Sequence, residues 1–368
     1  MSSELYIGLM SGTSTDGVDG VLADFREPRA PRTLASVSLP MPAALRAELL
    51  ALNLPGDDEL RRSCLAGNAL AALYAQATRQ LLEHADVDAK DVCAIGAHGQ
   101  TVRHQPLEGY TIQVNSPALL AELTGIDVIA DFRTRDVAAG GQGAPLVPAF
   151  HEAVFADTRT RVILNLGGIA NITVLDPKHP IRGFDTGPAN VLLDLWMEAN
   201  HGLPYDKDGC WAASGHVNAA LLDEMLVSEP WFALAPPKST GRDLFNWAWL
   251  SRRLQGPAAN GVSAQDIQAT LQALTASTVA SAIALAAPAV EEVLVCGGGA
   301  LNANLMDRLQ ATLPCPVRAT SERGMPVQLV EALAFAWLAQ CYVYERTAGL
   351  PSVTGARQAT ILGCRYHA

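Results

Sequence analysis

Residues 6–25 read YIGLMSGTSTDGVDGVLADF: an apolar run, a turn of small polar residues, then a second apolar run. Residues 161–175, RVILNLGGIANITVL, repeat that plan. Each hairpin opens a stretch in which short β-branched runs alternate with long helical patterns, the signature of an α/β chain. Strands are expected at Leu5–Leu9, Val92–Ala97, Ile126–Ala130, Val162–Leu166 and Val293–Cys296. Several run straight into glycine, as buried strands do when they feed a ligand-binding turn. Between them, Leu70, Leu73, Tyr74, Ala77 and Leu81 fall on one stripe of a helix expected over Cys64–Ala85. A capping box at Ser263–Asp266 starts a second long helix, and Gln328–Glu345 reads as a third, mostly buried one. The echo between the hairpins predicts two related domains. The boundaries it suggests place 1–130 with 350–368 in the first and 131–349 in the second. The stretch AAGGQGAPLVP, 138–148, lies near the junction.

A chain of 368 residues is longer than one core usually serves, which also favours two domains. Its 49% hydrophobic and 17% charged residues supply a packed interior and exclude wholesale disorder. A net charge of −11 disfavours binding to nucleic acid, whose phosphates it would repel. The seven cysteines show no CxxC spacing, so neither a zinc site nor a disulfide framework is expected. The N-terminus has no basic, apolar leader pattern, and the least polar window, Leu271–Val290, is diluted by Gln272, Thr275, Ser277, Thr278 and Ser281. A cytoplasmic chain with no membrane span is the expectation.

Three segments carry chemistry. In residues 11–19, SGTSTDGVD, the glycines let successive backbone N–H groups converge on an anion. Ser11, Thr13, Ser14 and Thr15 add hydroxyls there, and Asp16 and Asp19 are the candidates for a Mg²⁺ ion or its waters. An ordinary turn rich in turn-formers is the plainer alternative. No Gly-Lys-Ser/Thr occurs in the chain, so a nucleotide would be held without a P-loop lysine. A second glycine run, Gly297-Gly298-Gly299, stands between a strand and a helix and gains weight beside the first. The third, GFDTGPAN at 183–190, sets Asp185 between glycines, where it either works as a general base or caps its own turn. His98 in AHGQT, Arg133 in DFRTRD and Glu331 are further candidate substrate contacts, an arginine in a cleft being suited to a carboxylate.

Taken in order, MSGTSTDGVD, HGQTVRH, DFRTRD, GGQGAPLVP, NLGGIANIT, GFDTGPAN and CGGGALNANLM resemble the anhydro-N-acetylmuramic acid kinase family, from about Leu5 to Gly363. That family belongs to the sugar kinase/heat-shock protein/actin superfamily. The resemblance implies two actin-like, ribonuclease H-like domains, each on a mixed five-stranded sheet, flanking a cleft for ATP and sugar. It implies that Gly12, Thr13, Ser14, Thr15, Asp16, Gly17, Val18 and Asp19 hold the ATP phosphates. Gly167 and Gly168 form the second phosphate turn, and Gly297, Gly298, Gly299 and Asn302 lie on the adenosine side. Asp185 matches the family's general base, while Ser11, His98, Arg133 and Glu331 fall near the sugar. The implied reaction consumes ATP, 1,6-anhydro-N-acetylmuramic acid and water and yields N-acetylmuramic acid 6-phosphate and ADP, with a homodimer as the implied assembly.

Two positions depart from the wider superfamily. Its strands usually lead into an aspartate near the metal, whereas here Met10 ends the first and Asn165 stands in the second. The metal is thereby left to another carboxylate, Asp16, Asp19 or Asp185. Two rival readings follow from the same residues: a kinase for an ordinary sugar, with Asp185 deprotonating the hydroxyl itself, and an actin-like ATP switch that grips a protein.

Overall fold

The computed structural model describes residues 4–12, 15–236 and 238–368. Thr13 and Ser14 of the first glycine-rich turn lie outside the described residues. The chain divides into two compact units, Met1–Val154 with Leu329–Ala368, and Phe155–Gln328. The first unit supplies β1 (Leu5–Met10), β2 (Gly17–Asp24), β3 (Arg32–Pro40), β4 (Val92–Ala97), β5 (Gln100–Gln105), β6 (Tyr110–Val114) and β7 (Val128–Ala130). The second supplies β8 (Arg161–Leu166), β9 (Ile169–Leu175), β10 (Arg182–Pro188), β11 (Glu292–Cys296) and β12 (Val317–Ala319). The chain then returns to the first unit for β13 (Cys364–Tyr366).

In the first unit β1 pairs antiparallel with β2 and β2 with β3, while β1, β4 and β7 run parallel. The strand order β3-β2-β1-β4-β7 is the five-stranded mixed plan expected, and β13 adds a sixth strand at the β7 edge. β5 and β6 form a separate two-stranded ribbon. One face of the sheet is covered by the helix Glu59–Ala85, whose buried stripe includes Leu70, Leu73, Tyr74, Ala77 and Leu81, as its spacing predicts.

The other face takes the helix Val330–Val343, and two glycines explain how closely. A Cβ on Gly8 of β1 would stand 1.8 Å from the Ala332 carbonyl oxygen, and one on Gly96 of β4 would stand 2.0 Å from that of Phe335. The helix therefore lies directly on the backbone of the two central strands. Phe335 in turn meets Phe132 at 5.5 Å between ring centroids, and Trp337 meets Phe150 at 6.0 Å. Asp136, wholly buried, accepts from the Gly143 N–H at 2.7 Å and from the Thr354 hydroxyl at 2.8 Å. Segments 131–154 and 329–349, assigned from sequence to the second domain, are thus packed into the first unit.

The second unit repeats the strand order, β10-β9-β8-β11-β12, with β8 antiparallel to β9, β9 to β10, and parallel to β11, which is parallel to β12. Its core joins Val162, Leu164, Ile172 and Val174 to Val279 and Ile283 of the helix Ala264–Ala286. Ser263 caps that helix, its hydroxyl accepting from the Asp266 N–H at 3.2 Å. Among the described residues this is the one helix long and apolar enough to cross a membrane, yet most of its apolar window is buried within the protein. A second cluster, around Leu192, Leu221, Phe245, Trp249 and Leu271, packs the segments inserted between β10 and that helix.

Candidate functional site

The β1–β2 turn is held from several sides of its own unit. Ser11 is buried, and its hydroxyl donates to Oε1 of Gln100, whose Nε2 donates to the Gly12 carbonyl at 3.0 Å. The Thr15 N–H closes back onto the same carbonyl at 3.0 Å, with Thr15 at φ 56°. Such a left-handed φ is uncommon for a non-glycine residue and marks a conformation imposed by its surroundings. Asp16 is exposed, with Arg46 at 3.8 Å, and its carbonyl accepts from the Met41 N–H. Gly17 is a packing glycine, since a Cβ there would meet the Leu39 carbonyl at 2.5 Å. The Val18 side chain belongs to the core, so only its backbone is open to a ligand. Asp19 faces Met10 on one side and Ser38 on the other in strand register. Burial pushes its carboxyl above the usual range, and the Ser38 hydroxyl partly offsets this.

A second polar group lies in the same unit. Arg133 donates from Nε to Nε2 of His98 at 3.0 Å and from Nη1 to the Gly143 carbonyl at 2.8 Å. Burial and the neighbouring guanidinium bring His98 down to about 3, so its ring is neutral at working pH and serves as an acceptor that orients Arg133. Desolvation lowers Arg133 to about 10, against the pull of Glu331 and Asp136. Glu331 is itself raised by burial and lowered by Arg133, while Asp19 pushes it further up. Asp19, Glu331, Arg133 and His98 thereby form one electrostatic group.

In the second unit the β8–β9 turn is Gly167-Gly168. The backbone N–H of Asn190 donates to Gly167 at 3.1 Å, and those of Ala189 and Val191 donate to Gly168 at 2.9 and 3.0 Å. Asn190 Nδ2 adds a bond to the Leu166 carbonyl at 3.1 Å, so the turn is tied to the start of the helix Asn190–His201. The glycines sort into two kinds. A Cβ on Gly297 or Gly299 would run into Asn165 and Leu166, at 2.4 and 2.6 Å respectively. By contrast, Gly167, Gly168 and Gly298 have no neighbour closer than 3.6 Å to that position, which leaves their surfaces open to a ligand. Asn302 caps the helix Ala303–Thr312, with its Oδ1 accepting from the Leu305 N–H at 3.0 Å and from Gln272 at 3.2 Å.

Asp185 lies on β10, the edge strand, where the ladder to β9 is irregular between Asp185 and Gly187. Its N–H donates outward to the Lys238 carbonyl at 3.1 Å, and its Oδ2 accepts from the Thr240 N–H at 2.8 Å. Burial raises its pKa to about 6, opposed by the Thr240 N–H and by the Lys238 charge. A carboxyl so placed is mostly ionised at neutral pH yet more basic than an ordinary carboxylate, and so suited to accept a proton. Gln100, Lys238 and Thr240 were not singled out in the sequence. The one signal for Gln100 was its place in HGQT, and Lys238 lies 53 residues from Asp185, too far for any local pattern to join them.

A family model described as anhydro-N-acetylmuramic acid kinase matches residues 4–368. The anhydro-N-acetylmuramic acid kinase of Bordetella pertussis (strain Tohama I) is 64% identical over 364 residues, covering 99% of this chain and 96% of that protein. The protein of the same name from Variovorax paradoxus (strain S110) is 55% identical over 379 residues, covering all of both chains. That of Ralstonia nicotianae (strain GMI1000) is 54% identical over 377 residues, covering all of this chain and 98% of its own. With both glycine-bearing hairpins, the edge-strand aspartate and a match running the length of the sequence, this chain belongs to the anhydro-N-acetylmuramic acid kinase family.

Proposed function

We propose that this chain phosphorylates 1,6-anhydro-N-acetylmuramic acid at the expense of ATP and opens the anhydro bridge with water. The observation that carries the chemistry is Asp185: half-buried, raised to about 6, with one carboxylate oxygen fixed by the Thr240 N–H. Asp185 takes a proton from water as the water oxygen bonds to the anomeric carbon. The bond from that carbon to O6 breaks, and the released O6 attacks the γ-phosphorus in line. The bond to the β–γ bridging oxygen then breaks, giving N-acetylmuramic acid 6-phosphate and ADP. Backbone N–H groups of the Gly12–Asp19 turn stabilise the charge on the transferring group. Gly167, Gly168 and Gly298 offer the open backbone for the nucleotide, and Asn302 holds the adenosine-side turn in shape.

Sugar recognition falls to Ser11, His98, Arg133 and Glu331. Arg133, oriented by His98, is the partner for the lactyl carboxylate, since a guanidinium pairs with a carboxylate through a planar fork. Magnesium neutralises phosphate charge when bound. No group of three or more acidic, histidine or cysteine residues suited to a metal occurs among the described residues. The donors do fit an ion held mainly by phosphate oxygens and water through one carboxylate, the usual habit of Mg²⁺. Asp19, half-buried beside the turn, suits that role better than Asp16, which is exposed beside Arg46. The compartment is the cytoplasm, where ATP is available, and the assembly is a homodimer, which light scattering on the eluting protein checks.

The test is ADP release with Mg-ATP and each of anhydro-N-acetylmuramic acid, N-acetylmuramic acid, N-acetylglucosamine or no sugar. Turnover with the anhydro sugar alone is expected. Equal turnover with an ordinary sugar, or ADP release indifferent to sugar, would overturn the substrate assignment.

A further inference from the structure

The free edge of β10 at Asp185 is covered by residues 238–240, and something must hold that segment in place. Its own contacts show what does. Lys238 Nζ donates to the carbonyls of Phe232 at 3.0 Å and Trp231 at 3.4 Å, and stands 4.3 Å from the centre of the Trp231 ring. Trp231 answers with its indole N–H, which donates to the Ser239 carbonyl at 3.1 Å. The short helical turn Pro230–Ala233 thus grips the segment at two adjacent residues. That turn is anchored in its own right. Buried Glu229 accepts from the Trp231 N–H at 3.1 Å, from the Trp249 indole at 2.8 Å and from Arg253 at 3.1 Å.

The ammonium therefore caps carbonyls at the end of a helical turn, where cations are favoured. Its aromatic neighbour adds a cation–π contact. Two residues further on, the Thr240 N–H reaches Asp185 Oδ2. Without the Lys238 side chain, the indole contact and the backbone bond from the Asp185 N–H to the residue 238 carbonyl would remain among the described contacts, and the Thr240 N–H would be held less firmly against Asp185. The ammonium also acts as a charge that draws the Asp185 carboxyl down against its burial. Reciprocally, burial lowers Lys238 and Asp185 pulls it back up.

We propose that Lys238 is a positioning residue for Asp185, pinning 238–240 to the Pro230–Ala233 turn so that the Thr240 N–H occupies one carboxylate oxygen and the other is left to take the proton from water. This deepens the reaction assigned above and rests on it for its kinetic readout. Fixing one oxygen restricts the carboxylate rotor, and the nearby positive charge keeps the base ionised at lower pH than burial alone would allow.

The experiment compares kcat against pH for the wild-type protein, Lys238→Met and Lys238→Arg, with affinity for a non-hydrolysable ATP analogue measured alongside. Lys238→Met is expected to lower kcat by roughly 10–100-fold, the scale on which a small misplacement of a catalytic group costs rate. It is also expected to move the acid limb of the profile up by about one unit, with analogue affinity kept. Lys238→Arg, which retains charge and donors, should recover most of both. Normal kcat with an unmoved limb in Lys238→Met overturns the proposal, and so does a lowered kcat whose acid limb stays in place. Should Lys238→Met not fold, Lys238→Gln carries the same two expectations. If the wild type shows no sugar-dependent ADP release, the assigned reaction has failed instead. The proposal is then decided by carboxyl NMR of Asp185, whose titration should move upward in Lys238→Met and would overturn it by staying put.

Discussion

The two sheets carry the same strand order, yet they place their carboxylates on different strands. In the first unit the row across the opening hairpin reads Met10, Asp19, Ser38, and in the second it reads Asn165, Asn171, Asp185. The acid has moved from the second strand of the row to the third. Asp19 sits inside the sheet with a hydroxyl partner, Ser38. Asp185 sits on an edge strand and takes its partners from a distant segment. The same scaffold thereby yields one carboxylate beside a hydroxyl of the neighbouring strand and another held by a backbone N–H from a distant segment. The turns differ as well: the first is closed on itself and held by Gln100, the second is two glycines tied to a helix start.

The comparison breaks most visibly at Asp185. Asp185→Asn should lower kcat by about 10²–10⁴-fold, the range for losing a positioned base, while ATP binding persists. Turnover near that of the wild type would return Asp185 to the rank of a turn residue.

Glycine substitutions sharpen the contrast between backbone that packs and backbone that is open. Gly8→Val or Gly96→Val drives a side chain into the carbonyls of the Val330–Val343 helix, and overpacking of this kind costs about 1–3 kcal/mol, occasionally more. Gly298→Ala meets nothing closer than 4.0 Å and should leave stability within about 0.5 kcal/mol while weakening nucleotide binding. Urea unfolding of the three variants checks this, and a large loss in Gly298→Ala would show that the open surface is a packed one.

Asp185 also links stability to pH. Its carboxyl titrates at about 6 when folded, against about 3.9 unfolded, so the folded state prefers the protonated form. The contribution is neutral below the unfolded value, turns unfavourable as pH rises from about 4 to 6, and stays so above. Asp185→Asn removes that penalty. The variant should therefore be more stable than the wild type at pH 8, by on the order of 2 kcal/mol, and no more stable at pH 4. Equal thermal melts at both pH values would contradict the raised pKa. The smallest effect is expected at Arg46→Ala, whose ion pair with Asp16 is solvent-exposed and worth about 0.5 kcal/mol or less.

Local signals made much of this legible. Apolar runs ending in glycine located β1, β4, β8 and β11, the hairpin echo anticipated the shared strand order, and Ser263 caps the helix it was expected to start. Asp185 stood out because it lies between glycines. The home of residues 329–349 did not, because a helix apolar all round carries no stripe to say which sheet it covers. What fixes it is the absence of side chains at Gly8 and Gly96, a contact across more than two hundred residues of sequence. β13 is three residues long and partly exposed, too short for a periodic signal. Gln100 and Lys238 act through long-range hydrogen bonds, which leave no pattern in the surrounding sequence.

The most direct test of the central claim is one turnover in ¹⁸O-labelled water with ATP and the anhydro sugar, analysed promptly by mass spectrometry. The expected product carries one solvent oxygen at the anomeric position and none in its phosphoryl group. A phosphorylated sugar that keeps its bridge, or solvent oxygen appearing in phosphate, would contradict it.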